Sequence, residues 1–227
     1  YDLAGNAASN TPFDGGETYI YTPGSAADIP TALAGGTLTI DATGAPGAAQ
    51  TSVSIVDLGG GVFVIEIKDL TRTIGAPAGG TQVDSNTVRI PIGSVTNIII
   101  NGTPLADTFT LDLSLGTLPG LVTVNGNLPT TQPGDSMRVI GAYDDITYGP
   151  NGVGSGTIDA DGTQVAFTGL EPLDLSGASI LNLTVVVDPT SAFAGDVITT
   201  VAAVDAGVNT EITFADAAGV PNGLEST

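Results

Sequence analysis

Residues 98–113 read IIINGTPLADTFTLDL, two strand-like runs joined by a short turn. The first run ends at an Asn-Gly pair, which is typical of a tight turn. In the second run Phe109, Leu111 and Leu113 alternate with polar residues, and this period of two predicts a strand with one buried face. Asp107 stands where the second run begins, either as a ligand of something bound or as the residue that ends a loop.

The same pattern of short strand-like runs separated by turn residues continues through most of the chain. The 227 residues include 32 glycines and 14 prolines, which interrupt any sustained helical period. From Gly36 onward, short bursts rich in Val, Ile and Thr are bounded by Gly, Asn, Asp or Pro, the pattern of strands separated by turns. The bursts read TLTID, SVSIVDL, VFVIEIKDL, TVRIPI, NIII, TFTLDL, LVTVNG, MRVIG, DITYG, GTIDADG, QVAFTGL, LNLTVVVD and EITFAD. The sequence therefore predicts an all-β protein.

Internal repetition favours one β architecture over others. The Ile-Asn-Gly of residues 100–102 returns as Val-Asn-Gly at 124–126, and each is followed by a loop, an Asp-hydroxyl pair and a strand. A second echo pairs GTLTIDATG at 36–44 with SGTIDADG at 155–162. Such repeats predict a parallel β-solenoid, in which each coil lays its strand on the previous one. The alternative is an Ig-like β-sandwich. The residues expected in the core include Ile98, Ile100, Phe109, Leu111, Val122 and Val124.

Composition divides the chain into three parts. Residues 1–35 are rich in Ala, Gly, Asn and Pro and read as an N-terminal extension or arm, with one strand-like island in it. Residues 36–217 form the predicted solenoid-like domain, and 218–227 a C-terminal tail. The chain begins at Tyr1 without a methionine or an apolar leader, which is typical of a processed mature protein or of an excerpt from a longer one.

Charge and missing residue types exclude several functions. Four basic residues face 24 acidic ones, and the net charge of −20 repels nucleic acid and anionic lipid. The chain has no His and no Cys, which rules out a Ser-His-Asp or Cys-His nucleophile, a His-ligated zinc and disulfides. No run of 18 apolar residues exists, so we expect no membrane insertion. We therefore expect a non-enzymatic protein without an obligatory cofactor.

The order TNIIINGTPLADTFTLDLS, GLVTVNG, DSMRVIG, DITYGP and GSGTIDADGTQVAFTGLEPLDL resembles the repetitive β-solenoid segments of large secreted bacterial surface proteins. Those segments are similar in sequence pattern to calcium-binding RTX-type repeats and are often called adhesin-like. The resemblance covers roughly residues 36–217. It implies an extracellular or cell-surface location and a structural or adhesive function, with calcium as the cation that such repeats bind.

The calcium hypothesis can be weighed on the residues. Aspartates make up 19 of the 24 acidic residues, and Asp suits turns as well as oxygen-ligand cation sites. The candidate calcium ligands are Asp107, Asp135, Asp159 and Asp161. In the RTX nonapeptide G-G-x-G-x-D-x-U-x, Thr103 and Leu105 fall where the second and third glycines belong. The loop before Asp135 lacks them altogether, so the sequence favours turn residues that accept backbone N–H groups at Asp107 and Asp135.

Three function classes fit these observations. The leading one is a subunit or repeat of a cell-surface fibre, sheath or adhesin that assembles head to tail with copies of itself. The alternatives are a carbohydrate-binding module and a β-helix polysaccharide-degrading enzyme, both with polysaccharide as the partner. For assembly, a strand-like island in the arm is expected to add to a neighbour's open sheet by β-augmentation. That island consists of Thr18, Tyr19, Ile20, Tyr21 and Thr22.

Overall fold

The computed structural model describes residues 27–128, 134–152 and 154–186, and the backbone alone of residues 197–204, 209–215 and 221–226. At residues 171 and 172 the description is likewise limited to the backbone. Within these ranges the chain is all-β, as the sequence predicts, and its one helical element is a single 3₁₀ turn at Ile92–Ser94. No helix among these residues is long and apolar enough to cross a membrane.

The described residues form eighteen strands. They are β1 (Ile29–Ala34), β2 (Thr37–Asp41), β3 (Gln50–Asp57), β4 (Phe63–Asp69), β5 (Ile74–Gly75), β6 (Thr81–Asp84), β7 (Thr87–Pro91), β8 (Asn97–Asn101), β9 (Thr108–Asp112), β10 (Leu121–Asn125), β11 (Asp135–Gly152), β12 (Ser155–Ala160), β13 (Thr163–Thr168), β14 (Leu170–Asp174), β15 (Ala178–Val185), β16 (Val197–Val204), β17 (Asn209–Ala215) and β18 (Pro221–Ser226). The last three form a separate antiparallel sheet, and the other fifteen form one mixed sheet.

The mixed sheet folds into two walls that face each other. The front wall consists of β1, β5, β2, β8, β10, β13, β12, the second half of β11, and β15. The back wall consists of β6, β7, β4, β3, β9, the first half of β11, and β14. The two walls are continuous through β11, which spans 18 residues. It bends between them near Gly141, whose φ of 154° lies in the region that favours glycine.

Parallel strands form the middle of each wall. In the front wall β2, β8, β10 and β13 pair in parallel, and in the back wall β3, β9, β11 and β14 do the same. The two Asn-Gly segments lie side by side in this arrangement, because Asn101 is the register partner of Asn125. On the back wall Thr108 is likewise the partner of Ser136. The Asn125 amide donates to the Asn101 side-chain oxygen at 2.8 Å, which joins the neighbouring strands on the outer face.

The sheet is not the simple parallel solenoid that the sequence predicts. Antiparallel strands extend both stacks: β4, β7 and β6 follow β3, while β11 and β12 form a hairpin beside β13. These insertions separate successive parallel strands in sequence and obscure the repeat. The parallel middle of both walls also differs from the antiparallel sheets of an Ig-like sandwich.

One hydrophobic core fills the space between the walls. Inward residues of both walls belong to a single cluster, because alternate residues of each strand point to the same side. The six residues expected in the core are all buried, at 0 or 1% exposure: Ile98, Ile100, Phe109, Leu111, Val122 and Val124. Aliphatic side chains make up most of the cluster, in keeping with an aromatic content of 5%.

The sheet is nearly closed on the side away from β11. There β5 of the front wall approaches β6 and β7 of the back wall, and the Ile74 amide donates to the Ser85 carbonyl at 2.9 Å. The Gln82 side chain bridges the same gap. Its amide nitrogen donates to the Ile74 carbonyl, and its oxygen accepts from the Ala76 amide. The Gln82 side chain and the hydrogen bond from Ile74 to Ser85 therefore link the two ends of the sheet.

The strands cross the domain boundaries that composition suggests. Strand β1 lies within residues 1–35, which the sequence assigns to the arm, and its Ile29 is fully buried. At the other end, β18 lies within the expected C-terminal tail, and β16 and β17 belong to the small separate sheet. Strand β1 belongs to the mixed sheet, because Ile29 pairs with Ile74 of β5.

Candidate functional site

Three buried aspartates line one end of the back wall, and we call Asp69, Asp107 and Asp135 the aspartate row. Their exposures are 0, 1 and 0%, respectively. Buried carboxylates are uncommon unless they are hydrogen-bonded, so this row is the most unusual chemical feature of the described residues. Asp107 and Asp135 are two of the four candidate calcium ligands, whereas the sequence did not single out Asp69.

Asp107 accepts three hydrogen bonds. One carboxylate oxygen accepts from the Ala49 amide at 2.6 Å and from the Thr103 hydroxyl at 2.8 Å. The other accepts from the Thr103 amide at 2.5 Å. Ala49 immediately precedes β3, so the carboxylate caps the entry of the neighbouring strand while Thr103 closes the loop before β9. This geometry matches the turn role that the sequence favours for Asp107.

Asp135 repeats this arrangement one strand further along. One of its carboxylate oxygens accepts from the Asp107 amide at 2.7 Å, as Asp107 does from Ala49. Its other oxygen, Oδ2, is buried and has no hydrogen-bond partner among the described residues. Asp107 therefore caps the start of β3 and Asp135 caps the start of β9, each the neighbouring strand in the back wall. Only one of the two Asp135 oxygens accepts a hydrogen bond.

The loop sequences explain the difference. In the loop before β9, Thr103 follows Gly102 and supplies both of its donors to Asp107. The matching position after Gly126 is Asn127, whose φ is 79°. Its side-chain NH₂ group donates instead to the Gly102 carbonyl at 2.8 Å. The described residues of the second loop, 126–128 and 134, therefore provide no counterpart of Thr103 for Asp135.

Glycine is required at the corner that faces each aspartate. A Cβ on Gly102 would lie 2.6 Å from Asp107 Oδ2, and a Cβ on Gly126 would lie 2.5 Å from Asp135 Oδ2. Both distances are shorter than van der Waals contact allows. The repeated Asn-Gly pair is thus explained by packing against the carboxylates, in addition to the turn that it forms.

Asp69 is the best satisfied member of the row. It lies at the end of β4 and accepts from the Gln50 amide and the Thr51 hydroxyl through one oxygen. Its other oxygen accepts from the amide and hydroxyl of Thr71 and from the Arg72 amide. A sequence signal for this role exists in Asp69-Leu-Thr71, because Asp followed two residues later by a hydroxyl residue favours an Asx turn.

Burial changes the acidity of two members of the row. Loss of hydration raises the pKa of Asp107, against the lowering effect of its hydrogen bonds to Ala49 and Thr103. The same loss of hydration raises the pKa of Asp135 to about 7, with the nearby Asp107 carboxylate adding to the rise. The single hydrogen bond from the Asp107 amide offsets the effect of burial on the pKa of Asp135 only in part.

The other two calcium candidates lie apart from the row, at the hairpin of β12 and β13. Asp161 has a φ of 46°, and its two carboxylate oxygens accept from the amides of Asp144 and Asp145 at 3.0 Å each. Asp159 accepts from the Gly162 amide at 2.8 Å. The structure thus brings Asp107 close to Asp135, and Asp159 close to Asp161, but it does not bring the two pairs together.

Few acidic side chains among the described residues lie close enough together to bind one cation. Among residues 27–128, 134–152 and 154–186, no three acidic side chains are placed to hold one metal ion. A calcium site normally collects six to eight oxygen ligands, several of them carboxylates. The oxygens of Asp107 already accept N–H and O–H donors, which occupy the positions that a cation would take.

We expect the fold to be independent of calcium for this reason. Adding EDTA should shift the melting temperature little in a thermal unfolding experiment. A fall of more than about 10 °C that calcium alone restores would contradict the prediction, because it corresponds to at least about 2 kcal/mol of binding energy. Magnesium at the same concentration serves as the control cation.

Comparison with protein-family models, with curated proteins and with solved structures found no match to this chain. The resemblance to RTX-type and adhesin-like segments therefore rests on the residues quoted for it. The predicted assembly segment, Thr18–Thr22, lies outside the described residues. The sites that the structure itself provides are the aspartate row and the outer faces of the two walls.

Proposed function

We propose that the chain is a non-enzymatic structural subunit or repeat of an extracellular fibre, sheath or adhesin that assembles head to tail. The parallel middle of each wall supports this proposal. Strands β2, β8, β10 and β13 alternate along the sequence with β3, β9, β11 and β14, as the two sides of successive solenoid coils do. A solenoid can be extended by adding further strands to its last coil.

The observation that carries the proposal is the open edge of β15. Among the described strands, β15 pairs with β11 alone, and none of them pairs with its other edge. Residues 178–186 carry no charge in a chain of net charge −20, and Leu181 is 76% exposed. Soluble proteins normally protect such edges with charged residues. An uncharged apolar edge suits β-augmentation by another copy of the chain.

The contact we propose is heterologous. Its first side is the β15 edge, and its second side is the N-terminal arm of the next copy, with the island Thr18–Thr22 as the added strand. Such a contact does not close on itself, so it produces a filament in place of a dimer. The extracellular location belongs to the same proposal, because the resemblance to secreted surface proteins implies it.

Particle size tests this function directly. The intact chain should form filaments at high concentration, as observed by light scattering and electron microscopy. Leu181→Lys should reduce assembly, because a charge on the edge opposes addition of a strand. Leu58→Lys is the matched control, since Leu58 is 50% exposed but lies in the hairpin between β3 and β4.

A second variant tests the arm separately. Deleting residues 1–26 leaves β1 intact, so the folded part should keep its stability while it loses assembly. Filaments that persist unchanged after the deletion would refute the role of the arm. An intact chain that stays monomeric at high concentration would refute head-to-tail assembly itself.

A further inference from the structure

The outer face of the front wall contains two adjoining depressions. Their volumes are about 350 Å³ and about 190 Å³, and they share Asn151 and Thr157 in their walls. The larger lies over β11, and the smaller over β10, β13 and β12. The two depressions adjoin at Asn151 and Thr157, and we call them together the front groove.

The groove follows a single row of register partners across the strands. Thr123 of β10 is paired with Ala166 of β13, Ala166 with Thr157 of β12, and Thr157 with Gly149 of β11. Val186 ends the row, where its amide donates to the Tyr148 carbonyl at 2.8 Å. With strands about 4.8 Å apart, the row extends over roughly 19 Å.

The polar groups of the groove are all uncharged. Its lining contains threonine and serine hydroxyls and the amides of Asn125 and Asn151, and no charged side chain lines either depression. In a chain with 24 acidic residues this is an unusual stretch of surface. Hydroxyl and amide groups both donate and accept hydrogen bonds, whereas carboxylates only accept. A matching ligand therefore also presents groups that both donate and accept.

Apolar surface lies between these polar groups. Ala166 and Gly149 form a low floor, because neither has a side chain larger than a methyl group. Asn125 is held in place on the rim, since it donates to Asn101 and accepts from the Thr168 hydroxyl at 3.3 Å. A largely preformed concave site of apolar patches and a few fixed polar groups is the usual form of a ligand site.

We propose that the front groove binds a short, linear, uncharged oligosaccharide. Sugar hydroxyls match the hydroxyl and amide groups of the rim, and the C–H faces of sugar rings match the low apolar floor at Ala166 and Gly149. The net charge of −20 disfavours acidic polysaccharides, which selects neutral ones. The groove is complete within one chain, so this site does not depend on head-to-tail assembly.

The experiment is an NMR titration of the intact chain carrying Leu181→Lys, which is expected to remain dispersed. The probes are cello-, manno-, xylo- and chito-oligosaccharides, with oligogalacturonate as the acidic comparison. At least one neutral series should give saturable shifts of the Thr123, Thr157 and Ala166 amides at concentrations up to about 10 mM. Oligogalacturonate should give none.

Two substitutions test the groove itself. Ala166→Ile fills the floor with the side chain that Ile99 already places in the same row of β8, and it should weaken binding at least tenfold. Thr157→Val removes one hydroxyl at constant shape and should weaken binding several-fold. Thr39→Ile is the control, because Thr39 belongs to the same row but lies outside both depressions.

The outcomes separate clearly. Saturable binding that Ala166→Ile abolishes and Thr39→Ile leaves unchanged supports the site. The proposal is wrong if no neutral oligosaccharide shifts the groove amides, or if binding survives Ala166→Ile unchanged. Neither result bears on filament formation, which is measured separately by particle size.

Discussion

Asp107→Asn is expected to lower the free energy of unfolding by about 2 to 3 kcal/mol near pH 8. The wild-type carboxylate accepts the Ala49 amide, the Thr103 amide and the Thr103 hydroxyl. Asparagine has one accepting oxygen and a donating NH₂ group. Whichever way the amide is oriented, NH₂ faces a backbone N–H and leaves that donor buried without a partner. Urea unfolding followed by circular dichroism measures the loss.

Asp112→Asn is the matched control in the same strand. Asp112 points outward from β9 and caps the following turn by accepting from the Ser114 amide at 3.0 Å, a bond that asparagine can also make. We expect a change within about 0.5 kcal/mol for this variant. Equal losses for the two variants would show that the buried hydrogen bonds of Asp107 contribute no more than an exposed turn.

The role of Asp107 as a turn residue could be predicted from the sequence. The Asn-Gly pair marks the turn, and the alternation of Phe109, Leu111 and Leu113 places the buried face correctly, because period two is a local property of the strand. The return of Asn-Gly at 125–126 also predicted neighbouring strands, which the pairing of Asn101 with Asn125 agrees with. These inferences depend only on residues close together in the sequence.

Other features depend on contacts between distant residues. The segments MRVIG and DITYG read as two strands, yet they belong to the single strand β11, because the bend at Gly141 keeps the backbone extended from one wall to the other. The antiparallel strands β4 and β7 look like solenoid strands in the sequence, because the residues of a strand do not show whether it pairs in parallel or antiparallel. For the same reason the sequence did not predict that Gln50 and Thr51 donate hydrogen bonds to Asp69.

The front groove was equally hidden from the sequence. It exists because Thr123, Ala166, Thr157 and Gly149 share one row, and that row depends on the register of four strands. The sequence offered no aromatic platform, so a carbohydrate-binding module remained an alternative without a site. The structure provides a candidate site of a different kind, in which small residues create the concave surface.

The stability of the protein is expected to fall as the pH rises from about 5 to about 8.5, and Asp135 is the cause. Its folded-state pKa of about 7 lies above the ordinary value of 3.8, so the folded state binds a proton that the unfolded state has released. The stabilisation is complete below pH 3.8 and is lost as the pH rises through about 7. The whole effect is on the order of 4 kcal/mol.

Asp135→Asn should remove this dependence. Its oxygen can still accept from the Asp107 amide, and its NH₂ replaces Oδ2. That atom and the Gly169 carbonyl oxygen, an acceptor, both lie within 2.5 Å of the position that a Cβ on Gly126 would take. We expect the variant to be more stable than the wild type by about 2 to 4 kcal/mol at pH 8.5, and nearly equal to it at pH 5. The same substitution therefore has opposite signs at Asp107 and Asp135, because three donors face one carboxylate and one donor faces the other. Urea unfolding of both proteins across this pH range measures the difference, in which the titration of groups that do not interact with Asp135 cancels. A variant that loses stability at pH 8.5 would show that Asp135 is ionised and paired in the folded state, with a cation as the first partner to test by chelation.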